Sequence, residues 1–474
     1  MKSLDIGLFA QRQGKKLPVG NVNDGIAARY SSAWYTRRTA SFHSAIINVF
    51  NNIPSFGQSE YRLKFRSLPF LVALLAAFFF SSCGGGSSEP RPSGVNSRVF
   101  VSTPLVNGGQ IYIVNANNDT VPQSHPVISV LNAGLMAVTP DKKVAAVFAA
   151  SLNTLTIVDT QGEAAVGTVG LAGPTESMVG IPLPCDAGTS GCSAHETLIV
   201  AEPTAPYSGT VQNGIVQFID LSNGSVTATL SIPQARRLVL SPDGTKLLVF
   251  SDDFSVNLVD TAAKTTTLIT STGFDHPVNA VFSTDNSTAY ILSCGPECGG
   301  TTANVSALTI SSGAVGAPTP VSGATVGLID SSNHLYVAGS PASGGLLDIL
   351  DPSSLTVTKS AIPIGDGYHT LMALTSKGQL FIGAKNCTNG LCMSILDTSS
   401  QTASINPCVS GTSVCPSGNV TALVPLDNRA IIYTVQGGIL HIYDLKKNPP
   451  TENLTVGIPF LTLLGNLSDA EQVD

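Results

Sequence analysis

The sequence predicts an all-β fold made of one repeated unit, a β-propeller. Three observations lead to this prediction: short β-rich runs recur along the chain from about residue 97, they come in groups of four, and no stretch of that region keeps a helical period. Repeats of roughly forty to sixty residues with four strands each are typical of propeller blades arranged around a central channel.

One unit shows the pattern most clearly, at residues 236–270, "RRLVLSPDGTKLLVFSDDFSVNLVDTAAKTTTLIT". Its four runs of β-branched and aliphatic residues are Leu238–Leu240, Leu247–Phe250, Val256–Val259 and Thr266–Ile269. The segments "SPDG" and "DTAAK" between them supply turn-forming residues. The unit therefore predicts a four-stranded antiparallel sheet.

The third strands align at the same place in every unit, and this alignment sets the number of blades. Their ends are "IYIVNA" (111–116), "LTIVDT" (155–160), "VQFIDL" (216–221), "VNLVDT" (256–261), "VSALTI" (305–310), "LDILDP" (347–352), "MSILDT" (393–398) and "LHIYDL" (440–445). Eight blades are favoured, and seven is the alternative if residues 97–131 or 303–321 do not form a blade of their own.

Ring closure can also be predicted. The first unit begins with "RVFVST" (98–103), which has the character of a second strand, and so this unit lacks an innermost strand. The run "IPFLTLLGN" (458–466) belongs to no other unit. If it supplies the missing strand, the ring has no open edges. The propeller then spans 97–466, and 467–474 is a C-terminal tail.

The segment 247–292 resembles the YVTN-type propeller repeat, in which a strand is followed by "VIDT", a second hydrophobic strand, a Gly-x-x-Pro turn and "SPDG". The resemblance covers about residues 97–465. It implies the propeller fold, and because similar propellers include lactonases, it also implies a hydrolase as an alternative function.

An apolar run near the N-terminus predicts export. Leu68–Phe80 is too short to span a bilayer, it follows basic residues, and small residues lead from it to Cys83. The stretch 63–82 therefore indicates a signal peptide, and "FSSC" resembles the lipobox of bacterial lipoproteins, which implies a lipid on Cys83. A Gly/Ser/Pro-rich tether follows at 83–96. Residues 1–62 are expected to be disordered or outside the translated protein.

Composition narrows the classes of partner. Charged residues make up only 12% of the chain, and the net charge is −7, so no basic field exists to attract nucleic acid. Nucleic acid is therefore not an expected partner.

The cysteines fall into local couples once Cys83 is set aside. The eight others lie in turn-rich loops, and an exported chain meets an oxidising compartment, so disulfides are expected. Metal binding is disfavoured because no couple has the two-residue spacing or nearby histidine of a zinc site. Pairing between the last two couples is left open. The couples are Cys185/Cys192, Cys294/Cys298, Cys387/Cys392 and Cys408/Cys415.

Acidic residues recur after the third strands, where a row of carboxylates invites a catalytic interpretation. Each of them precedes a residue typical of turns, a position at which aspartate accepts hydrogen bonds from its own backbone. We therefore expect a structural role for Asp159, Asp220, Asp260, Asp351, Asp397 and Asp444.

Propellers commonly bind ligands at the channel mouth, on the face formed by the loops between second and third strands and between blades. Those loops hold three of the cysteine couples and several polar residues, which converge on one funnel in a closed ring. The histidines with neighbouring acids could act in acid–base or metal chemistry, but a loop-orienting role is favoured. The candidate binding residues are Glu176, Arg236, Arg237, Asp275, His276, Asp366, Tyr368 and His369.

These observations predict an exported, lipid-anchored, monomeric β-propeller that binds a protein or glycan at the bacterial cell envelope without catalysis. No cofactor and no metal are expected. Gly84 after the lipidated cysteine favours the outer membrane. The alternatives are a hydrolase of lactonase type and a component of envelope assembly.

Overall fold

The computed structural model describes residues 91–104, 109–181, 197–209, 212–341, 344–406, 416–426, 428–452 and 467–474. Within these ranges the chain forms eight antiparallel sheets and two short 3₁₀ helices, Gly295–Cys298 and Thr388–Gly390. In the same ranges we find no helix with the length and apolar character needed to cross a membrane.

Each sheet is one blade, and its strands follow one another from the channel outward. Blade 1 holds β33 (Asp469–Gln472), β1 (Arg98–Thr103), β2 (Gln110–Asn115) and β3 (Val127–Ser129). Blade 2 holds β4 (Met136–Val138), β5 (Val144–Ala149), β6 (Thr154–Asp159) and β7 (Ala164–Gly170). Blade 3 holds β8 (Ser177–Gly180), β9 (Thr197–Glu202), β10 (Ile215–Asp220) and β11 (Ser225–Ser231). Blade 4 holds β12 (Ala235–Leu240), β13 (Lys246–Ser251), β14 (Val256–Asp260) and β15 (Thr265–Ile269).

The second half follows the same plan. Blade 5 holds β16 (Pro277–Phe282), β17 (Thr288–Ser293), β18 (Asn304–Thr309) and an outer strand in two pieces, β19 (Ala314–Val315) and β20 (Thr319–Pro320). Blade 6 holds β21 (Val326–Ile329), β22 (Leu335–Gly339), β23 (Gly345–Asp351) and β24 (Thr356–Ile364). Blade 7 holds β25 (Tyr368–Leu374), β26 (Gln379–Lys385), β27 (Met393–Asp397) and β28 (Thr402–Ile405). Blade 8 holds β29 (Val420–Leu426), β30 (Ile431–Gln436), β31 (Ile439–Asp444) and β32 (Thr451–Glu452).

The hydrophobic core is divided among the blade interfaces, with one cluster of buried residues between each pair of neighbouring blades. Side chains alternate along a strand, so Val99 and Val101 pack against blade 8 while Phe100 packs against blade 2. Both faces of a middle strand are therefore buried. This is why runs such as "VAAVFA" and "KLLVFS" are almost continuously apolar rather than alternating.

The predicted closure by a C-terminal strand is confirmed, but its predicted position is wrong. The inner strand β33 pairs with β1 from Val99–Gln472 to Ser102–Asp469, and it also contacts the inner strands of blades 2 and 8. Residues 458–466 lie outside the described residues, and the closing strand is Asp469–Gln472, within the predicted tail. Its letters, "DAEQ", form no apolar run: Ala470 packs in the cluster between blades 1 and 8, while the buried Asp469 carboxylate accepts from the Met136 N–H at 2.8 Å.

The count of eight blades is confirmed. Residues 97–131 contribute β1, β2 and β3 to blade 1, and residues 303–321 contribute the third and the divided outer strand of blade 5. Both outer pieces pair with β18, at its two ends. The weak pattern at 303–321 thus reflects an interrupted outer strand.

The recurring aspartates close turns, as predicted. Asp159 accepts a hydrogen bond from the Gln161 N–H at 2.9 Å, and Asp260 accepts from Ala262 and Ala263 at 3.1 and 2.8 Å. Asp220, Asp351, Asp397 and Asp444 each accept from the N–H two residues ahead.

Two of the predicted disulfides lie in the described residues, Cys294–Cys298 and Cys387–Cys392. The second bond excludes cross-pairing between the last two couples, because Cys387 pairs locally. Cys83, Cys185, Cys192, Cys408 and Cys415 lie outside the described residues.

Candidate functional site

Loops between second and third strands, and loops from one blade to the next, lie on one side of the ring, which we call the upper face. Of the second-to-third loops, 252–255 belongs to blade 4, 294–303 to blade 5 and 386–392 to blade 7. Both described disulfides lie in these loops. The candidate site is the upper end of the channel, where the inner strands begin.

Inner strands of four blades carry a β-bulge near this upper end. The pairing register shifts between Ala235 and Arg237 in β12, and between His369 and Leu371 in β25. The inner strands β16 and β29 shift at the corresponding place. A bulge leaves one residue outside the ladder and changes the direction of nearby side chains. In β12 the residue outside the ladder is Arg236, and in β25 it is Thr370.

Arg236 lies between two carboxylates. Its Nη1 is 2.8 Å from Glu176 Oε1, and its Nη2 donates to Asp252 Oδ2 at 2.8 Å. These partners raise the pKa of Arg236, the hydrogen bond to Asp252 contributing most. The structure therefore joins two predicted site residues, Arg236 and Glu176, and adds Asp252, which the sequence reasoning missed.

Arg237 reaches into the channel from β12. Its Nε donates to Asn279 Oδ1 of blade 5 at 3.0 Å, and its Nη2 lies 3.4 Å from the Thr370 carbonyl oxygen of blade 7. Blades 4 and 7 are not neighbours in the ring, so this contact runs across the channel. The side chain is half-buried, and desolvation lowers its pKa.

Tyr368 lies at the start of β25 and is 39% exposed. Burial raises the pKa of its hydroxyl, nearby Arg237 lowers it, and Glu297 raises it, so these three groups share one electrostatic environment. The Glu297 carboxylate accepts from the Ser340 N–H at 2.7 Å. The sequence reasoning missed Glu297, although its place inside the disulfide loop "CGPEC" marked it as fixed in position.

Asp275 and His276 hold the disulfide loop of blade 5. Asp275 Oδ1 is 2.8 Å from His276 Nδ1, and its Oδ2 accepts from the N–H groups of Thr301 and Thr302 at 2.7 Å. These bonds hold the pKa of Asp275 well below its usual range. The His276 ring packs edge-on against the Phe254 ring, with 4.2 Å between the two ring centroids. Both predicted residues therefore have a structural role in fixing loop 294–303.

Asp366 and His369 are likewise engaged in the fold. Asp366 accepts from the Thr388 N–H at 3.0 and 3.2 Å, at the start of the disulfide loop of blade 7. His369 is only 1% exposed, and burial lowers its pKa to about 4. It is therefore a neutral side chain inside the blade, and a ligand in the channel would not reach it.

The predicted funnel residues thus separate into two groups. Glu176, Arg236, Arg237 and Tyr368 lie at the channel mouth, while the others fix loops or are buried. In the described parts of the chain no three His, Cys, Asp or Glu side chains are grouped as metal ligands. The binding role of the first group remains a prediction.

Of three comparisons with known proteins, only the one with solved structures finds similar chains. No family model matches the sequence, and no curated protein matches it. Among solved structures, the dihydro-heme d1 dehydrogenase NirN in complex with DHE is similar with a TM-score of 0.55 and 14% identity, over 80% of this chain and 75% of that chain. The β-propeller domain of Cps50 (Swd1) from Myceliophteria thermophila gives a TM-score of 0.47 and 10% identity, over 66% and 96%. At such identities the likeness to NirN shows the fold alone, and the chain is an eight-bladed β-propeller protein.

Proposed function

We propose that this protein is an exported, lipid-anchored β-propeller that binds a partner protein or glycan at the bacterial cell envelope through its upper face, without catalysis. The observation that carries the proposal is the anchoring of the loops on that face by hydrogen bonds and disulfides. Two disulfide loops are fixed to the ring, one by Asp275 and the other by Asp366. Rigid loops lose little conformational entropy when they bind.

The chemistry of the upper face suits polar recognition. Arg236 is held in position by Glu176 and Asp252, and Tyr368 presents a partly exposed aromatic ring with a hydroxyl. Tyrosine and arginine are enriched at the energetic centres of protein interfaces. Both side chains also suit glycans, since they offer hydrogen-bond donors beside an aromatic surface.

Support for the envelope location comes from the N-terminal sequence. The order of basic residues, apolar run and small residues is that of a secretory signal peptide, "FSSC" resembles a lipobox, and the segment after Cys83 is rich in Gly, Ser and Pro. A flexible tether of this composition would hold a folded propeller away from the membrane surface.

The test combines location and binding. Intact-protein mass spectrometry of membrane-fractionated native protein should find a mature N-terminus at an acylated Cys83, and Cys83→Ser should leave the protein unprocessed and without acyl chains. An unprocessed wild-type chain would overturn the envelope location.

For binding, the wild-type protein, Tyr368→Ala and Lys446→Ala are compared in cross-linking to envelope extracts. Lys446 serves as the matched control because it follows the third strand of blade 8, on the opposite face. Loss of a cross-linked partner only in Tyr368→Ala supports the proposal. Equal cross-linking by the wild-type protein and both variants would overturn the assignment of binding to the upper face. Hydrolysis of a lactone that is lost in Tyr368→Ala would favour the alternative function, a hydrolase.

A further inference from the structure

Arg237 differs from the other arginines that the structure describes. Arg91, Arg98, Arg236 and Arg429 each have a carboxylate oxygen within 2.9 Å. Within the described ranges, no carboxylate lies at ion-pair distance from Arg237. Its acceptors are neutral oxygens, Asn279 Oδ1 and the Thr370 carbonyl.

A guanidinium has five N–H donors, and burying its charge without an opposite charge is unfavourable. Two of the donors of Arg237 have acceptors, at 3.0 and 3.4 Å, and the second of these bonds is long. Nη1 of Arg237 has no hydrogen-bond partner among the described residues, and it is not one of the buried atoms that lack a partner, so it keeps contact with solvent. An anion that enters the channel would therefore meet a guanidinium whose charge no carboxylate of the described residues compensates.

Arg237 is also fixed in position before any ligand arrives. Asn279 is 4% exposed, and its Nδ2 donates to the Thr325 carbonyl at 3.0 Å. The Thr325 hydroxyl in turn donates to the His369 carbonyl at 3.0 Å. Polar contacts from blades 5, 6 and 7 thus hold the guanidinium that blade 4 supplies, so binding would not require ordering it.

The surrounding charges select the kind of anion. Glu176 and Asp252 carry two negative charges against the one positive charge of Arg236. A further carboxylate, Glu297, lies within electrostatic reach of Tyr368. Acids around a single uncompensated cation disfavour anions with several charges. A planar carboxylate with one charge matches the fork of a guanidinium and can accept two of its hydrogen bonds.

We propose that Arg237 and Tyr368 form a binding site for the carboxylate group of a small organic acid at the upper end of the channel. Arg237 pairs with the carboxylate, and the Tyr368 hydroxyl donates to it while the ring contacts the apolar part of the ligand. This inference rests on the proposed binding function and deepens it by naming a ligand class.

The test titrates the purified full-length protein, labelled with ¹⁵N-arginine, and follows the Nε–Hε signal of Arg237 by NMR. The probes are sodium benzoate, its neutral isostere benzamide, and inorganic phosphate. We expect a saturable shift of this signal with benzoate, and none with benzamide. A shift that is equal for benzamide, or tighter binding of phosphate than of benzoate, would overturn the proposal.

Three variants separate the roles of the side chains. Arg237→Gln should weaken benzoate binding at least about tenfold, and Tyr368→Phe about threefold or more, because each removes a hydrogen bond to a charged group. Lys446→Ala, on the opposite face, should leave it unchanged. Unchanged binding in a folded Arg237→Gln contradicts the site. If that variant does not fold, the wild-type titration with benzoate and benzamide decides alone.

Failure of this test is distinguishable from failure of the proposed function. An acylated Cys83 and a cross-linked envelope partner can be present without any response to benzoate, and the purified protein can bind benzoate wherever the cell places it.

Discussion

Arg98 and Asp474 form a bidentate salt bridge between β1 and the residue that follows the closing strand β33 by two positions. Nε and Nη2 of Arg98 donate to the two carboxylate oxygens of Asp474 at 2.8 and 2.9 Å. The Arg98 side chain is completely buried, and its Nη1 donates to Glu163 at 2.8 Å. One guanidinium thus joins blade 1, blade 2 and the closing segment, at the junction where the ring is sealed.

Arg98→Met should lower the free energy of unfolding by about 3–5 kcal/mol, because it leaves the buried Glu163 carboxylate without its cation. The measurement is denaturant unfolding followed by circular dichroism. Lys246→Met is the control, since its ion pair with Asp260 is about one-third exposed on both sides and should contribute only about 0–1 kcal/mol. Equal losses in the two variants would contradict a special role of Arg98 in closure.

Asp260→Ala should lower the free energy of unfolding by about 0.5–1.5 kcal/mol, because two backbone N–H groups of an exposed turn and Lys246 lose their acceptor. Asp260→Asn keeps an oxygen at that position and should lose less. Benzoate binding should be the same in both, since this turn lies on the face opposite the site. A change in binding without a change in stability would favour a functional interpretation of the turn acids.

Replacing both Cys294 and Cys298 by serine should cost about 2 kcal/mol at most, because the closed loop is short. The β-propeller should remain folded, since the core lies between the blades. Hydrogen exchange should instead become faster in loop 294–303, which carries Glu297. Global unfolding of this double variant would show that the disulfide supports the ring rather than the loop.

Stability should fall as the pH rises from about 5 to about 8. Burial raises the pKa of Glu202 to about 7, well above the ordinary value of 4.5, even though its carboxylate accepts from the Gly173 N–H at 2.6 Å. The native state therefore binds this proton more tightly than the unfolded state does. The resulting stabilisation is complete below the unfolded pKa and is lost as the pH passes the folded pKa.

Denaturant unfolding at several pH values measures this dependence, and Glu202→Gln should make it shallower. A residual slope of the same sign is expected, because burial also raises the pKa of Asp469 and of Glu471 in the closing strand. A wild-type stability that rises between pH 5 and pH 8 would contradict the prediction.

The loops that form the candidate site could be predicted from the sequence. Spacing alone placed Glu176, Arg236, Arg237 and Tyr368 on loops or strand starts that converge in a closed ring. Spacing could not distinguish them from Asp275, Asp366 and His369. Asp275 and Asp366 are hydrogen-bonded to the disulfide loops, and His369 is buried inside a blade; both properties depend on the tertiary structure. Asn279 and Glu297 were missed because neither stands out until blade 4 places Arg237 beside Asn279 and blade 7 brings Tyr368 within electrostatic reach of Glu297.

The sequence by itself determined the repeated four-stranded unit and the turn aspartates, and it favoured eight blades over seven, because these features depend on local periodicity and on contacts between residues close in the chain. The tertiary structure decided which strand closes the ring, since "DAEQ" carries no β signal and is a strand only because β1 offers it an open edge. It also decided that Arg237 stands in the channel without a carboxylate from the described residues. Charge compensation depends on distances between blades, and those distances arise only when the ring closes.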